Sequence, residues 1–353
     1  MARHRKPSRP VFRWRRGPAL ALAVTGAASA TAVLDGAALA DPQPTLAEVE
    51  DRVDTLHRQA EEATERYNAA TERAETAREE LDRLRDEAAR RTDELNDTRG
   101  LLGAHATARY RAGGLPPSVQ LAFSSDPEGF LTGASVLDRS GDRQTRAVRA
   151  VQQQVRDIER LLAEAEEQTE RLRDAEDTAR EERQTVEARL AEAEELMDTL
   201  TARERERLLR EEGTGGGPAA GPGAYPGAGA LPDVPAPGAR ASAAVAFAYA
   251  QLGKPYGWGA TGPHAYDCSG LTQAAWAAAG VSLPRTSQAQ SGAGTPVSRD
   301  QLAPGDLVFY YPSVSHVGIY VGNGQIIHAS RSGAPVRFAP VDSMPFAGAV
   351  RPA

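Results

Sequence analysis

One cysteine, Cys268, and two histidines twelve positions apart, His316 and His328, are the residues of this sequence whose types suit chemistry on a carbonyl group. Cys268 is followed by Ser269 and Gly270 and then by LTQAAWAAAG, where Leu271, Ala274, Ala275 and Ala278 recur at helical spacing until Gly280 stops the run. The pattern predicts a helix that starts at Cys268. Unpaired amides and the positive dipole end at a helix N-terminus favour a thiolate, the nucleophilic form of cysteine. The chemistry expected of such a set is thiol acyl transfer. His316 takes the thiol proton, the thiolate attacks a carbonyl carbon, His316 protonates the leaving amine, and water hydrolyses the thioester. His328 would orient the His316 ring, the part a carboxylate plays in other triads. The Cys268 amide and the Tyr256 hydroxyl are candidate donors to the oxyanion.

Each of these residues also has a plainer reading. A lone cysteine forms no internal disulfide and is often a small buried hydrophobe. Histidines on strands commonly do no more than satisfy hydrogen bonds, and Tyr256 and Trp258 are also suited to packing. A metal site normally gathers further carboxylate, His or Cys ligands, and only the distant Asp306 offers one, so no metal and no cofactor is expected.

Placing these groups together requires a helix and a hairpin. Residues 306–311, 316–321 and 325–330 are apolar, β-branched and alternating, so they read as strands, with Gly322, Asn323 and Gly324 as a hairpin turn. A two-residue loop alone would put His316 and His328 on opposite faces. A three-residue Gly-Asn-Gly loop with a bulge pairs His328 with Gly318 and puts both rings on one face, and that register is the expectation.

The blocks GKPYGWGATGPHAYDCSGLTQAAW, LPRTSQAQ, LAPGDLVFY and HVGIYVGNGQIIHAS, in this order over about a third of the chain, resemble the NlpC (p-sixty) family of cell-wall peptidases. The resemblance implies an α+β, papain-like domain, with Cys on a helix N-terminus packed against an antiparallel sheet that carries the histidines. It implies hydrolysis of the bond between γ-D-glutamate and the diamino acid of peptidoglycan stem peptides. By resemblance Cys268 is the nucleophile, His316 the base, His328 the third polar residue and Tyr256 the tyrosine near the oxyanion. Asp267 and Ser269 fall where relatives contact substrate, and Arg285 and Ser287 match the family's R-T-S block. Ala260 departs from the pattern, since many relatives carry a second Gly after the one matched by Gly259.

The rest of the chain has a different composition. Residues 1–16 hold seven Arg or Lys and no acid, residues 18–34 are apolar, and Ala38-Leu39-Ala40 precedes Asp41, which is the layout of a cleaved secretory signal over 1–40. An exported, cell-wall-associated protein is expected, and a net charge of −7 gives no case for nucleic acid. From Leu46 to Leu102, and again from Val148 to Leu200, apolar and small residues recur in steps of three and four, with Glu and Arg between them. Residues 41–212 therefore read as a coiled-coil hairpin with a helix break and apolar tip at 111–139, a parallel dimer being the alternative. The rod resembles the coiled coils of exported actinobacterial wall hydrolases, some of which dock on membrane-embedded division proteins or restrain their catalytic domain. Residues 213–239, rich in Gly, Pro and Ala, read as a linker to the domain at 240–353.

Three functions stay open on these grounds. The chain is a stem-peptide endopeptidase held in check by its rod, a silent scaffold that recruits another hydrolase, or an amidase or transpeptidase with another secreted substrate.

Overall fold

The computed structural model describes residues 45–111, 119, 123, 125–201, 204 and 236–352, all within one compact unit, Pro44–Ala353. The expected leader and nearly all of the expected linker lie outside the described residues. No described helix is long and apolar enough to cross a membrane.

The rod is two helices, α1 (Leu46–Arg111) and α2 (Pro127–Asp198). Thr45 and Glu48 start α1 with a reciprocal cap: the Thr45 amide donates to Glu48 Oε2 at 2.8 Å and the Glu48 amide to Thr45 Oγ1 at 3.3 Å. The expected break at 111–139 is shorter in the structure, because α2 already begins at Pro127. Asp126 caps that end by accepting from the Glu128 amide, and Pro127 carries a φ already suited to a first turn. The cluster Phe130, Leu131, Val136 and Leu137, expected to form the tip, therefore belongs to α2.

The two helices pair antiparallel within one chain. Arg52 meets Glu192 at 2.5 Å, Arg66 meets Glu182 at 2.7 Å and Arg78 meets Glu176 at 2.7 Å, so the start of α1 lies beside the end of α2. Val53, Leu56, Ala60, Ala63, Ala70, Leu81 and Leu84 of α1 are buried along the seam with Ala165, Ala175, Val186 and Ala193 of α2. At about 1.5 Å per residue, α1 is roughly 100 Å long. The second apolar series is less faithful to the seam than expected: Val148 and Leu162 are exposed.

The C-terminal domain is the expected α+β arrangement. Helices α3 (Ala239–Ala250), α4 (Cys268–Ala278) and α5 (Ser287–Gln290) precede a six-stranded antiparallel sheet of order β1-β6-β2-β3-β4-β5. Its strands are β1 (Thr295–Pro296), β2 (Leu307–Tyr310), β3 (His316–Gly322), β4 (Gln325–Ala329), β5 (Val336–Pro340) and β6 (Phe346–Arg351). Leu307, Phe309, Val317, Ile319 and Ile327 pack with Leu271, Ala275 and Trp276 of α4 and Val245 of α3, whereas Val308, Tyr310, Ile326 and Ala349 form a second cluster. The buried members of both clusters all fall within residues 241–350, so the domain completes its interior without the rod.

The β3–β4 hairpin has the expected register by a different route. Its loop is the two-residue Asn323-Gly324 turn, both residues with positive φ, and Gly322 pairs with Gln325. A shift between Tyr320 and Gly322 then leaves Ile319 opposite Ile327. The bulge at Val321 thus supplies the extra residue that a longer loop was expected to supply, and Gly318 falls opposite His328. A Cβ on Gly318 would stand 2.8 Å from Ile326 Cδ1 and 3.3 Å from His328 Cβ, so this glycine makes room for the neighbouring ring.

Candidate active site

Cys268 is the first residue of α4, as the spacing indicated. Asp267 caps the helix, accepting from the Gly270 amide at 2.7 Å, and Arg285 grips both Asp267 oxygens, Nη1 at 3.0 Å and Nη2 at 2.5 Å. Arg285 Nη1 also donates to Ser269 Oγ at 2.9 Å. The R-T-S block therefore builds the floor of the site: Arg285 fixes the cap, and Ser287 sets its hydroxyl 3.8 Å from the Cys268 sulfur. Close packing holds the loop before α4, where Ala260 accepts from the Asp267 amide at 2.9 Å and a Cβ on Gly270 would stand 2.2 Å from the Ala260 carbonyl oxygen.

His316 opens β3 immediately after Ser315, whose carbonyl lies 3.9 Å from the Cys268 sulfur. Its Nε2 meets His328 Nδ1 at 2.8 Å, the rings nearly perpendicular at 87°. Burial, the neighbouring His316 and Arg337 all push His328 well below the usual histidine range, so it is neutral. In the tautomer in which His328 accepts at Nδ1, His316 Nε2 is the donor and the His316 Nδ1 lone pair is free to take a proton. His316 Nδ1 is buried without a hydrogen-bond partner. Tyr256 stands in the same cluster: burial, then the nearby Cys268, Asp267, Glu61 and Glu65, push its phenol well above the usual range. The eight residues singled out in the sequence thus converge.

The site also contains residues that sequence reasoning did not single out. One face of α1 lies across it. Glu61 Oε1 stands 3.3 Å from His316 Nδ1. Glu65 Oε1 lies 3.6 Å from the Cys268 sulfur and accepts from Ser269 Oγ at 2.9 Å, and its Oε2 accepts from the Ser287 amide at 2.6 Å. Asn68 Nδ2 donates to Asp267 Oδ2 at 3.1 Å. Around these, Asp54 reaches Arg331 at 3.1 Å, Ser313 Oγ donates to Glu62 at 3.1 Å, and the Tyr67 ring meets Trp258 edge-on at 5.2 Å. Tyr67, expected in the coiled-coil seam, faces the domain instead. Gly259, with φ +71, brings the loop so near that a Cβ there would lie 3.2 Å from the Tyr67 ring.

The electrostatics follow from this cover. Cys268 is 2% exposed, and burial together with Glu65, Asp267 and Glu61 pushes its thiol well above the usual range. The helix N-terminus that favours a thiolate is thus opposed here, because α1 removes water and sets the acidic side chains Glu65 and Glu61 near the sulfur. Burial and Asp267 push the Glu65 carboxyl up to about 8, against the pull of the Ser287 amide, Ser269 and Arg285. Beside the covered site a cavity of about 210 Å³ remains, lined by His57, Glu61, Thr64, Tyr256, Trp258 and Arg331.

The comparisons with known proteins fall on this domain. Residues 253–350 match the NlpC/P60 family model. A relative from Corynebacterium glutamicum named "Probable endopeptidase" is 50% identical over 127 residues, which is 33% of this chain and 60% of that protein. A second relative, from Mycobacterium tuberculosis and also named as a probable endopeptidase, is 45% identical over 135 residues, 36% of this chain and 34% of the relative. The chain thus spans less than two thirds of these relatives' lengths. Among solved structures, the peptidoglycan hydrolase RipB of Mycobacterium tuberculosis is 35% identical, covering 32% of this chain and 64% of that one, with a TM-score of 0.30. The P60 domain of a Mycobacterium avium subspecies paratuberculosis antigen is also 35% identical, covering 32% and 93%, with a TM-score of 0.30.

Proposed function

Residues 253–350 form a domain of the NlpC/P60 family, and from that premise we propose that the chain is an exported peptidoglycan endopeptidase of the cysteine type, held closed by its own rod. The observation that carries the reading is the single cysteine at a helix N-terminus, its sulfur 3.9 Å from the Ser315 carbonyl, with the next residue, His316, buried and paired to His328 at 2.8 Å. Cys268 attacks a stem-peptide carbonyl, His316 carries the proton from thiol to leaving amine, and the neutral His328 keeps the His316 ring in the required tautomer. The family resemblance supports the bond between γ-D-glutamate and the diamino acid as the one cut. The basic, apolar, A-x-A leader supports export to the wall.

Restraint follows from burial. Cys268 and His316 are 2% and 1% exposed, so no stem peptide reaches them while α1 is in place. The test compares residues 236–353 with the full chain on purified wall peptides by mass spectrometry. New fragments ending in D-glutamate from the domain, sparse with the full chain and absent with Cys268→Ala, are the expected result. A folded domain that cuts nothing would overturn the enzyme reading. Equal turnover by domain and full chain would overturn the restraint.

A further inference from the structure

The Glu65 contacts are more specific than closure requires. A blocking helix needs bulk, and the Tyr67–Trp258 and Asp54–Arg331 contacts already hold α1 against the domain. Glu65 adds a carboxyl group on a two-methylene arm, fully enclosed at 1% exposure, with the nucleophilic sulfur on one flank and a separate donor on each oxygen. It does not serve as a cap for α4, because Asp267 already holds that place. Its neighbourhood also discourages an ordinary anion, since burial and Asp267 act against the charge more than the Ser287 amide, Ser269 and Arg285 favour it. Burial and Asp267 hold Glu65 up to about 8, so near neutral pH it is a carboxylic acid with one carbonyl oxygen and one hydroxyl.

A carboxylic acid beside the sulfur is what hydrolysis of an acyl-thioester leaves behind. We propose that Glu65 occupies the acyl subsite of the Cys268 centre as a built-in product, its γ-carboxyl standing where the acyl group of a cleaved side-chain amide would stand, with the Ser287 amide and Ser269 Oγ as the donors that grip that acyl group. This rests on the enzyme reading above and deepens it. The closed chain is an intramolecular enzyme–product complex, and the subsite accepts an acyl group carried on a side-chain-length arm. The main chain of α1, hydrogen-bonded within its own helix, stays out of reach of the thiol.

The proposal makes an unusual demand on one variant. Glu65→Gln turns the product carboxyl into a carboxamide, which is the group the centre cleaves. In that chain the Cys268 sulfur bonds to the residue-65 Cδ and the C–N bond breaks. Ammonia then leaves with the proton that His316 took from the thiol. Water next breaks the S–C bond, restoring the free thiol and leaving a carboxyl at position 65. The variant should therefore convert itself back to the parent sequence, releasing one ammonia per chain and gaining about 1 Da in the peptide that contains residue 65.

The experiment incubates the full-length E65Q chain and follows that peptide by mass spectrometry, with E65Q/C268A and E65N beside it. Circular dichroism checks that each folds as the parent does. Conversion in E65Q alone is the expected result, because E65N is one methylene too short to bring its amide to the sulfur. A folded E65Q chain that keeps its amide, or conversion that persists in E65Q/C268A, overturns the assignment. The released domain, residues 236–353, is assayed on stem peptides in parallel. Cleavage there with no conversion in E65Q removes only the acyl-subsite assignment, whereas silence in both removes the enzyme reading with it. Conversion without stem-peptide cleavage keeps the subsite and removes the wall substrate.

Discussion

Two stretches of the same helix obey opposite rules. Between Glu61 and Asn68, α1 buries its polar side chains: Thr64, Glu65 and Asn68 are 2%, 1% and 3% exposed. Forty residues further on, it exposes its apolar ones, with Leu101 at 76% and Tyr110 at 88%. Burying carboxyl and amide groups is unfavourable unless partners replace water. The first stretch has those partners in Ser269, Ser287 and Asp267, whereas the second has no surface against it among the described residues. The burial in α1 is set by what lies against each stretch, and helix propensity has little part in it. The near stretch is shaped by the active site, and its polar groups are specific to that site.

That contrast can be broken in graded ways. The largest effect comes from the site itself: in residues 236–353, Cys268→Ala or His316→Ala should lower stem-peptide cleavage by at least about 10³-fold. His328→Ala should lower kcat with less effect on KM, since its contact is with His316 and not with substrate.

Next comes release of α1. A tethered plug acts at an effective concentration of roughly millimolar, so the free domain should outpace the full chain by on the order of 10²-fold. Asn68→Ala should recover part of that gain in the full chain, because it removes one polar contact worth about 1–3 kcal/mol and leaves the Asp267 cap intact.

A smaller, pH-dependent effect follows from two groups that change environment on closing. The Glu65 carboxyl rises to about 8 in the closed form, so closing takes up a proton. Its contribution is fully present below the ordinary carboxylate range and is lost as pH rises through 8. His57 is held at about 4 by burial and Arg331, so its contribution is present above the ordinary histidine value near 6.5 and is lost as pH falls toward 4. Between about 6.5 and 8 only Glu65 acts, and closure should weaken by up to about tenfold per pH unit. The ratio of full-chain to free-domain activity isolates this effect from the chemistry, and E65N, whose shorter arm breaks these contacts, should flatten it.

The smallest effect belongs to the far stretch. Leu101→Ser should change neither activity nor stability beyond about 0.5 kcal/mol in thermal or denaturant unfolding.

The same contrast explains what the sequence made legible. Cys268 before a helical run, and His316 and His328 on a hairpin tuned by Gly318, are local patterns, and their types and spacing point to one another. The bulge at Val321 was readable only as a need for one extra residue. Glu61, Glu65 and Asn68 were not readable, because a Glu on a coiled-coil flank looks the same whether it faces water or a thiol. The only hint was Tyr67-Asn68, an aromatic and an amide within a run of Ala, Glu and Arg. The start of α2 differs from expectation for a related reason: the apolar run after Phe130 resembles a packed tip, whereas Asp126-Pro127-Glu128 is a helix start that carries this run into α2.

Because Cys268 is the chain's single cysteine, the rate at which iodoacetamide alkylates it reports the cover over the site without ambiguity. Intact mass should show the free domain modified on the order of 10²-fold faster than the full chain at the same pH. Equal rates in the two would contradict the claim that α1 closes the Cys268 centre.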